Sequence, residues 1–162
     1  VGDKIYTRDV TPVFVQPTPL SKIVETNTSK DFYLDKDEIK KFEYLRGSKK
    51  INRVASNGLH YSYTEGSMSP YDDLSLPGRT MLTSESSVNR STHIIKDPKT
   101  NKLRFLTPVE CERLNGFPDN WTNTGMSKKR RYFMMGNALV CGIIQKLGDK
   151  ISLIIDEENK GD

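Results

Sequence analysis

The stretch RFLTPVECERLNGFPDNW, residues 104–121, constrains the fold more than any other part of the chain. Arg104 to Leu106 reads as the end of a strand. Thr107 then fits a helix N-cap and Pro108 fits the first helical position, where a missing N–H is no loss. Glu110 completes a capping box with Thr107. Val109, Leu114 and Cys111 form the expected inward face. Gly116 suits the left-handed residue just past a helix end, and Phe117-Pro118 prevents continuation. The segment spells strand, capped helix, stop.

The rest of the chain has two textures. Up to about residue 101 it is irregular and rich in Ser, Thr, Pro and Asn; from Lys102 onward the helix signals are clean. Pro12, Pro17 and Pro19 break residues 10–24 into extended pieces. Asp35 and Glu38 form a second capping box. Ile39, Phe42 and Leu45 recur at helical spacing until Gly47, which predicts a helix over 36–46. Residues 51–54 and 59–63 read as short strands about the turn Ser56-Asn57-Gly58. Residues 79–83 read as another strand, and 92–96 with 103–106 as a hairpin. Ser127 caps a further helix start, interrupted at Gly136 and Asn137. Leu139, Val140, Ile143, Ile144, Leu147, Ile151 and Ile154 then hold one apolar face over about four turns. The acidic end, 156–162, is expected to fray.

With 162 residues the chain can bury a real core. Its net charge of +4, from 25 basic and 21 acidic residues, permits a nucleic-acid partner without requiring one. Cys111 and Cys141 lie far apart and neither belongs to a C-x-x-C pair, which favours a reducing, cytoplasmic setting. No apolar run reaches membrane-span length, and no signal peptide opens the chain. The first residue is Val1, so the expectation is a processed start or a piece of something longer.

Individual candidates carry weak signals. Glu110 and Glu112 beside Cys111 would raise its thiol pKa, the wrong direction for a nucleophile. A small, semi-buried apolar role fits it better, and the same holds for Cys141. His60 and His93 lack partners for a metal site, so no metal is expected. Lys128 to Arg131 reads equally well as a solvated helix face and as a phosphate contact. The loop SESSVNRSTH, with Ser86, Ser87, Asn89, Arg90 and His93, has the donor types that grip phosphates. HYSYTEGSM, with Ser62, Tyr63, Thr64, Glu65 and Ser67, suits base-edge readout and equally a plain strand and turn. No glycine-rich phosphate loop follows a strand. From its residues alone the chain reads as an α+β binding domain without its own catalytic centre.

The stretch RFLTPVECERLNGFP also resembles motif IX of the bacterial DNA cytosine carbon-5 methyltransferases, R-x-L-T-x-x-E-x-x-R-L-x-G-F-P. Arg104, Leu106, Thr107, Glu110, Arg113, Leu114, Gly116, Phe117 and Pro118 meet every defined position. MGNALVCGII, with Gly136, Asn137, Ala138, Leu139 and Val140, resembles the family's motif X at the right spacing. LPGRTMLTSE resembles the end of its target-recognition domain, with Thr80-Met81 as the threonine–apolar pair. Val1-Gly2 is similar to the tail of the family's preceding Gln-x-Arg-x-Arg segment. The first sixty residues match only in kind.

The resemblance implies a fold: a small, irregular recognition domain of hairpins and short helices over 1–126. Residues 127–162 would be a helical segment returning to a separate Rossmann-like catalytic domain. It implies an enzyme that flips a cytosine out of double-stranded DNA, attacks carbon-6 with a cysteine thiolate and methylates carbon-5 from S-adenosylmethionine. The glycine loop, the Pro-Cys nucleophile and the Glu-Asn-Val acid of that enzyme are not in this sequence. The chain alone is therefore expected to be inactive, and its partners are DNA and a catalytic domain or subunit. The resemblance puts Asn137 and Ala138 near the cofactor and Thr80 on a phosphate. Arg104, Thr107, Glu110, Arg113 and Gly116 become structural ties. The base-reading residues do not carry over, and residues 62–67 and 86–90 are named for their chemistry alone. A split-enzyme subunit, a piece of a single-chain enzyme and a free DNA-binding module all remain open.

Overall fold

The computed structural model describes residues 2–160, so Val1, Gly161 and Asp162 lie outside it, together with the expectations placed on them. In chain order the regular elements are α1 (Lys36–Arg46), β1 (Lys49–Val54), β2 (His60–Glu65), β3 (Ile94–Lys96), β4 (Leu103–Phe105), α2 (Pro108–Leu114), α3 (Lys128–Asn137) and α4 (Cys141–Asn159). Short 3-10 turns cover Leu20–Lys22 and Lys30–Phe32. The strands form two separate antiparallel hairpins, β1–β2 and β3–β4. This is the mixed α and β architecture the sequence implies.

The β3–β4 hairpin divides the body into two cores, because successive residues on a strand face opposite ways. Ile94, paired with Phe105, packs with Phe42 of α1. Ile95 points the other way, into a larger cluster with Leu20, Ile23, Met81, Leu106, Cys111, Tyr132 and Met135. The Tyr132 hydroxyl closes that cluster by donating to the Leu106 carbonyl at 2.6 Å. Both expected capping boxes form, at Asp35/Glu38 and at Thr107/Glu110. Gly116 takes φ +80°, the left-handed region open to a residue without Cβ.

The structure corrects several expectations. Residues 79–83 form no strand. Their backbone donors go to side chains: Arg79 N–H to His93 Nε2 at 2.9 Å and Leu82 N–H to Glu85 at 3.0 Å. On α2 Val109 and Leu114 are only half-buried, while Glu110, Cys111 and Glu112 are all buried, the two carboxylates because Arg104 and Arg131 meet them. Cys111 is fully buried rather than semi-buried. Helix α3 continues through Gly136 and Asn137, and the break falls at Ala138, whose backbone is extended. The acidic end stays helical through Asn159. None of α4 is buried.

Candidate nucleic-acid interface

The motif around Arg104 is a closed, buried network. The Arg104 guanidinium donates to Asp97 at 3.0 Å, to the Phe105 carbonyl at 3.0 Å and to both Glu110 oxygens at 2.8 and 2.7 Å. Glu110 also accepts from the backbone of Thr107 and of Glu25, both at 2.7 Å. One carboxylate thus caps α2, pairs a buried cation and holds the early chain. Burial alone would raise the Asp97 carboxyl, but the Thr100 backbone N–H, Arg104 and the Thr100 hydroxyl outweigh it and hold the pKa at about 2. Arg113 clamps Asp119 through two bonds, 2.7 and 2.6 Å, and reaches the Ile23 carbonyl.

The basic run 128–131 divides by direction. Arg131 turns inward to Glu112 at 2.8 Å and to the Thr122 hydroxyl at 2.9 Å. Lys128 sits over the Phe32 ring and Arg130 over the Phe133 ring.

Thr80 is exposed on a strap pinned at both ends. Arg79 pairs with Asp72, and buried Glu85 bonds His93 at 2.8 Å. His93 is therefore a fully buried link in the strap rather than a loop donor for phosphate. A Cβ on Gly136 would lie 2.4 Å from the Thr83 nitrogen and 2.5 Å from the Leu82 carbonyl, so α3 meets the strap backbone to backbone. This close approach brings Thr80 and Ala138 to one cleft of about 290 Å³ with Met135, Gly136 and Val140. Asn137 is exposed nearby, its amide donating to the Phe133 carbonyl at 2.9 Å.

The β1–β2 ribbon has two unlike faces. Lys49, Ile51 and Arg53 pair with Glu65, Tyr63 and Tyr61, so these six share one face. On it Arg53 stacks 4.2 Å above the Tyr63 ring. Glu65 accepts from Lys49 at 3.1 Å, from Arg90 at 3.4 Å and from the Tyr63 hydroxyl at 2.5 Å. The Tyr63 and Lys49 bonds hold the Glu65 carboxyl below its usual range. Arg90 also donates to the Leu45 and Gly66 carbonyls. Tyr63, Glu65 and Arg90 thus fix the ribbon to the body.

Ser62 and Thr64 lie on the other face, exposed. Lys50, Asn52 and His60 share that face, as strand alternation opposite Ser62 and Thr64 requires. Ser67 and Ser86 are exposed. Ser87 donates to the Ser84 carbonyl and Asn89 accepts from Ser91, so both brace their own loop. Of the candidate site residues, Thr80 and Ala138 line the cleft with Asn137 close by, and Ser62 and Thr64 share one face of the ribbon.

Residues 7–153 match the family model of the C-5 cytosine-specific DNA methylases. The chain is 52% identical over 151 residues to the type II methyltransferase M.Sau3AI of Staphylococcus aureus, covering 93% of this chain and 36% of that protein. It is 30% identical over 83 residues to the type II methyltransferase M.MspI of Moraxella sp, covering 51% of this chain and 19% of that one. Two solved structures share the fold. The Entamoeba histolytica methyltransferase EhMeth aligns with a TM-score of 0.55 at 17% identity, over 90% of this chain and 44% of its own. The S. pombe Dnmt2 methyltransferase aligns with a TM-score of 0.57 at 16% identity, over 87% of this chain and 42% of its own. The chain spans just over a third of the length of M.Sau3AI. With a family match along most of its length, the chain belongs to the C-5 cytosine-specific DNA methylases.

Proposed function

We propose that this chain is the DNA-recognition portion of a DNA (cytosine-5)-methyltransferase that uses S-adenosylmethionine and serves a restriction-modification system in a bacterial or phage-infected cytoplasm. The nucleophile and most of the cofactor site would belong to a catalytic portion, on the same polypeptide or a second one.

The observation that carries this reading is the bare apolar face of α4. Ile143, Ile144, Leu147, Ile151 and Ile154 are 44–59% exposed along one 19-residue helix. Leaving so continuous an apolar stripe in water is unfavourable, at about 25 cal/mol per Å². A Rossmann-like catalytic domain packed on it would remove that cost. The two thiols agree with chemistry placed elsewhere. Cys111 is buried, and burial first, then Glu85, Glu110 and Glu112, push its pKa well above the usual thiol value. Cys141 is half-buried, at the start of α4.

The residues at the cleft fit one wall of a cofactor site and no more. Asn137 offers a side-chain amide oxygen and Ala138 a small apolar contact. S-adenosylmethionine, when bound, supplies the methyl group. This chain would wall the pocket, grip phosphate at Thr80 and read the duplex.

Binding to duplex DNA tests the reading. The chain is expected to bind with an affinity that falls linearly on a log–log plot against salt, with a slope near −0.9 per phosphate neutralised. No duplex binding at low salt would reject it.

A further inference from the structure

We propose that the β1–β2 ribbon enters the major groove with its Lys50, Asn52, Ser62 and Thr64 face toward the base edges, and that Asn52 is the main specificity-determining residue. The inference rests on the reading of this chain as a DNA-recognition portion and says which surface does the recognising.

The two faces of the ribbon divide the work. The face bearing Lys49, Arg53, Tyr63 and Glu65 is stiffened by the Arg53–Tyr63 stack, tied to α1 by Lys49, which donates to the Leu45 carbonyl, and tied to the Arg90 loop through Glu65. The opposite face has no such ties. Lys50, Asn52, His60, Ser62 and Thr64 are all exposed, and among the described residues none of their side chains has a hydrogen-bond partner. A rigid ribbon with a row of free donors and acceptors is prepared for a polar ligand.

Shape and charge identify that ligand. Two strands about 5 Å apart, with their side chains, fit a major groove about 12 Å wide. Six residues per strand extend about 20 Å, enough to cross several base pairs. Lys50 gives the free face its one formal charge, and Glu65 is turned to the other face, so the ribbon is positive and carries no carboxylate where it is free. The reading face has one apolar residue, Val54, in contrast to α4, whose apolar stripe suits a protein. Asn52 sits directly opposite Ser62 at mid-ribbon. An exposed asparagine amide offers an acceptor and a donor side by side, the pair that meets adenine N6 and N7. Ser62 beside it can bond either edge.

The test is selection of bound duplexes from a randomised pool by the purified chain, followed by sequencing. The wild type is expected to enrich one sequence. Asn52→Ala is expected to lose about tenfold or more of the discrimination at one A·T pair. Its affinity for random duplex and its salt slope should stay as they were. Asn52→Ala with Ser62→Ala should relax the neighbouring position as well. Both residues are exposed, so unfolding midpoints of the variants should match the wild type. An enriched sequence untouched by either variant would overturn the ribbon as reader and leave DNA recognition standing. Duplex binding with no enrichment would also overturn it. No duplex binding would overturn both, and leave the face to a protein partner.

Discussion

Arg104 and Glu110 form a two-point ion pair with no exposed surface, six residues apart across the junction of β4 and α2. The same carboxylate caps the helix, so strand, turn and helix are fixed by one contact. A pair like this gives direction more than net stability, since removing two ions from water offsets most of their attraction. Breaking it is another matter.

Glu110→Ala would leave the Arg104 charge buried and only Asp97 to face it, and would open the capping box. We expect a loss of about 3–5 kcal/mol, a large part of the roughly 5–15 kcal/mol that holds an ordinary domain. Urea unfolding followed by circular dichroism measures it. A loss below 1 kcal/mol would mean that the network is not a structural tie.

Acid should act through Asp97. Its pKa is lowered from 3.8 to about 2, so the folded state binds this proton less readily than the unfolded state. The stability it contributes is fully present above about pH 4 and is lost as pH falls toward 2. Asp97→Asn should start less stable at neutral pH and show a shallower decline over that window. Equal slopes for the two proteins would remove Asp97 as the cause.

Gly136→Ala should destabilise the contact between α3 and the Thr80 strap. The added Cβ meets backbone at 2.4–2.5 Å, which no rotamer change relieves. A cost of about 1–3 kcal/mol is expected for such overpacking. Hydrogen exchange should quicken at Leu82, whose N–H bonds Glu85, before it quickens in α1. Unchanged exchange and stability would contradict the close approach.

The α4 stripe should make the chain self-associate when no catalytic portion covers it. Leu147→Glu with Ile151→Glu should shift it to monomer in sedimentation, with the unfolding midpoint of the body unchanged because α4 buries nothing. A wild-type chain that stays monomeric at high concentration and binds no apolar dye would count against an uncovered face.

Local signals made much of this fold legible in advance. The capping boxes at Asp35 and Thr107, the stop at Gly116 and the turn at Gly58 depend on neighbours within a few residues, and each formed as read. The hairpin about 97–102 followed for the same reason. What failed depends on distant partners. Residues 79–83 read as a strand, but His93 and Glu85 take the backbone donors of Arg79 and Leu82. Glu112 is buried, and its partner Arg131 lies nineteen residues away. Arg90 donates to the Leu45 and Gly66 carbonyls, partners 45 and 24 residues away. That Asn52 faces Ser62 is a property of strand register, which the residues taken singly do not carry.

The most direct measurement is methyl transfer from labelled S-adenosylmethionine to mixed-sequence duplex DNA, run with this chain alone and then mixed with a family catalytic portion carrying the nucleophile. The account predicts no transfer from the chain alone and sequence-restricted transfer to cytosine on mixing. Transfer by the chain alone would contradict it, and so would a mixture that binds DNA and stays inactive.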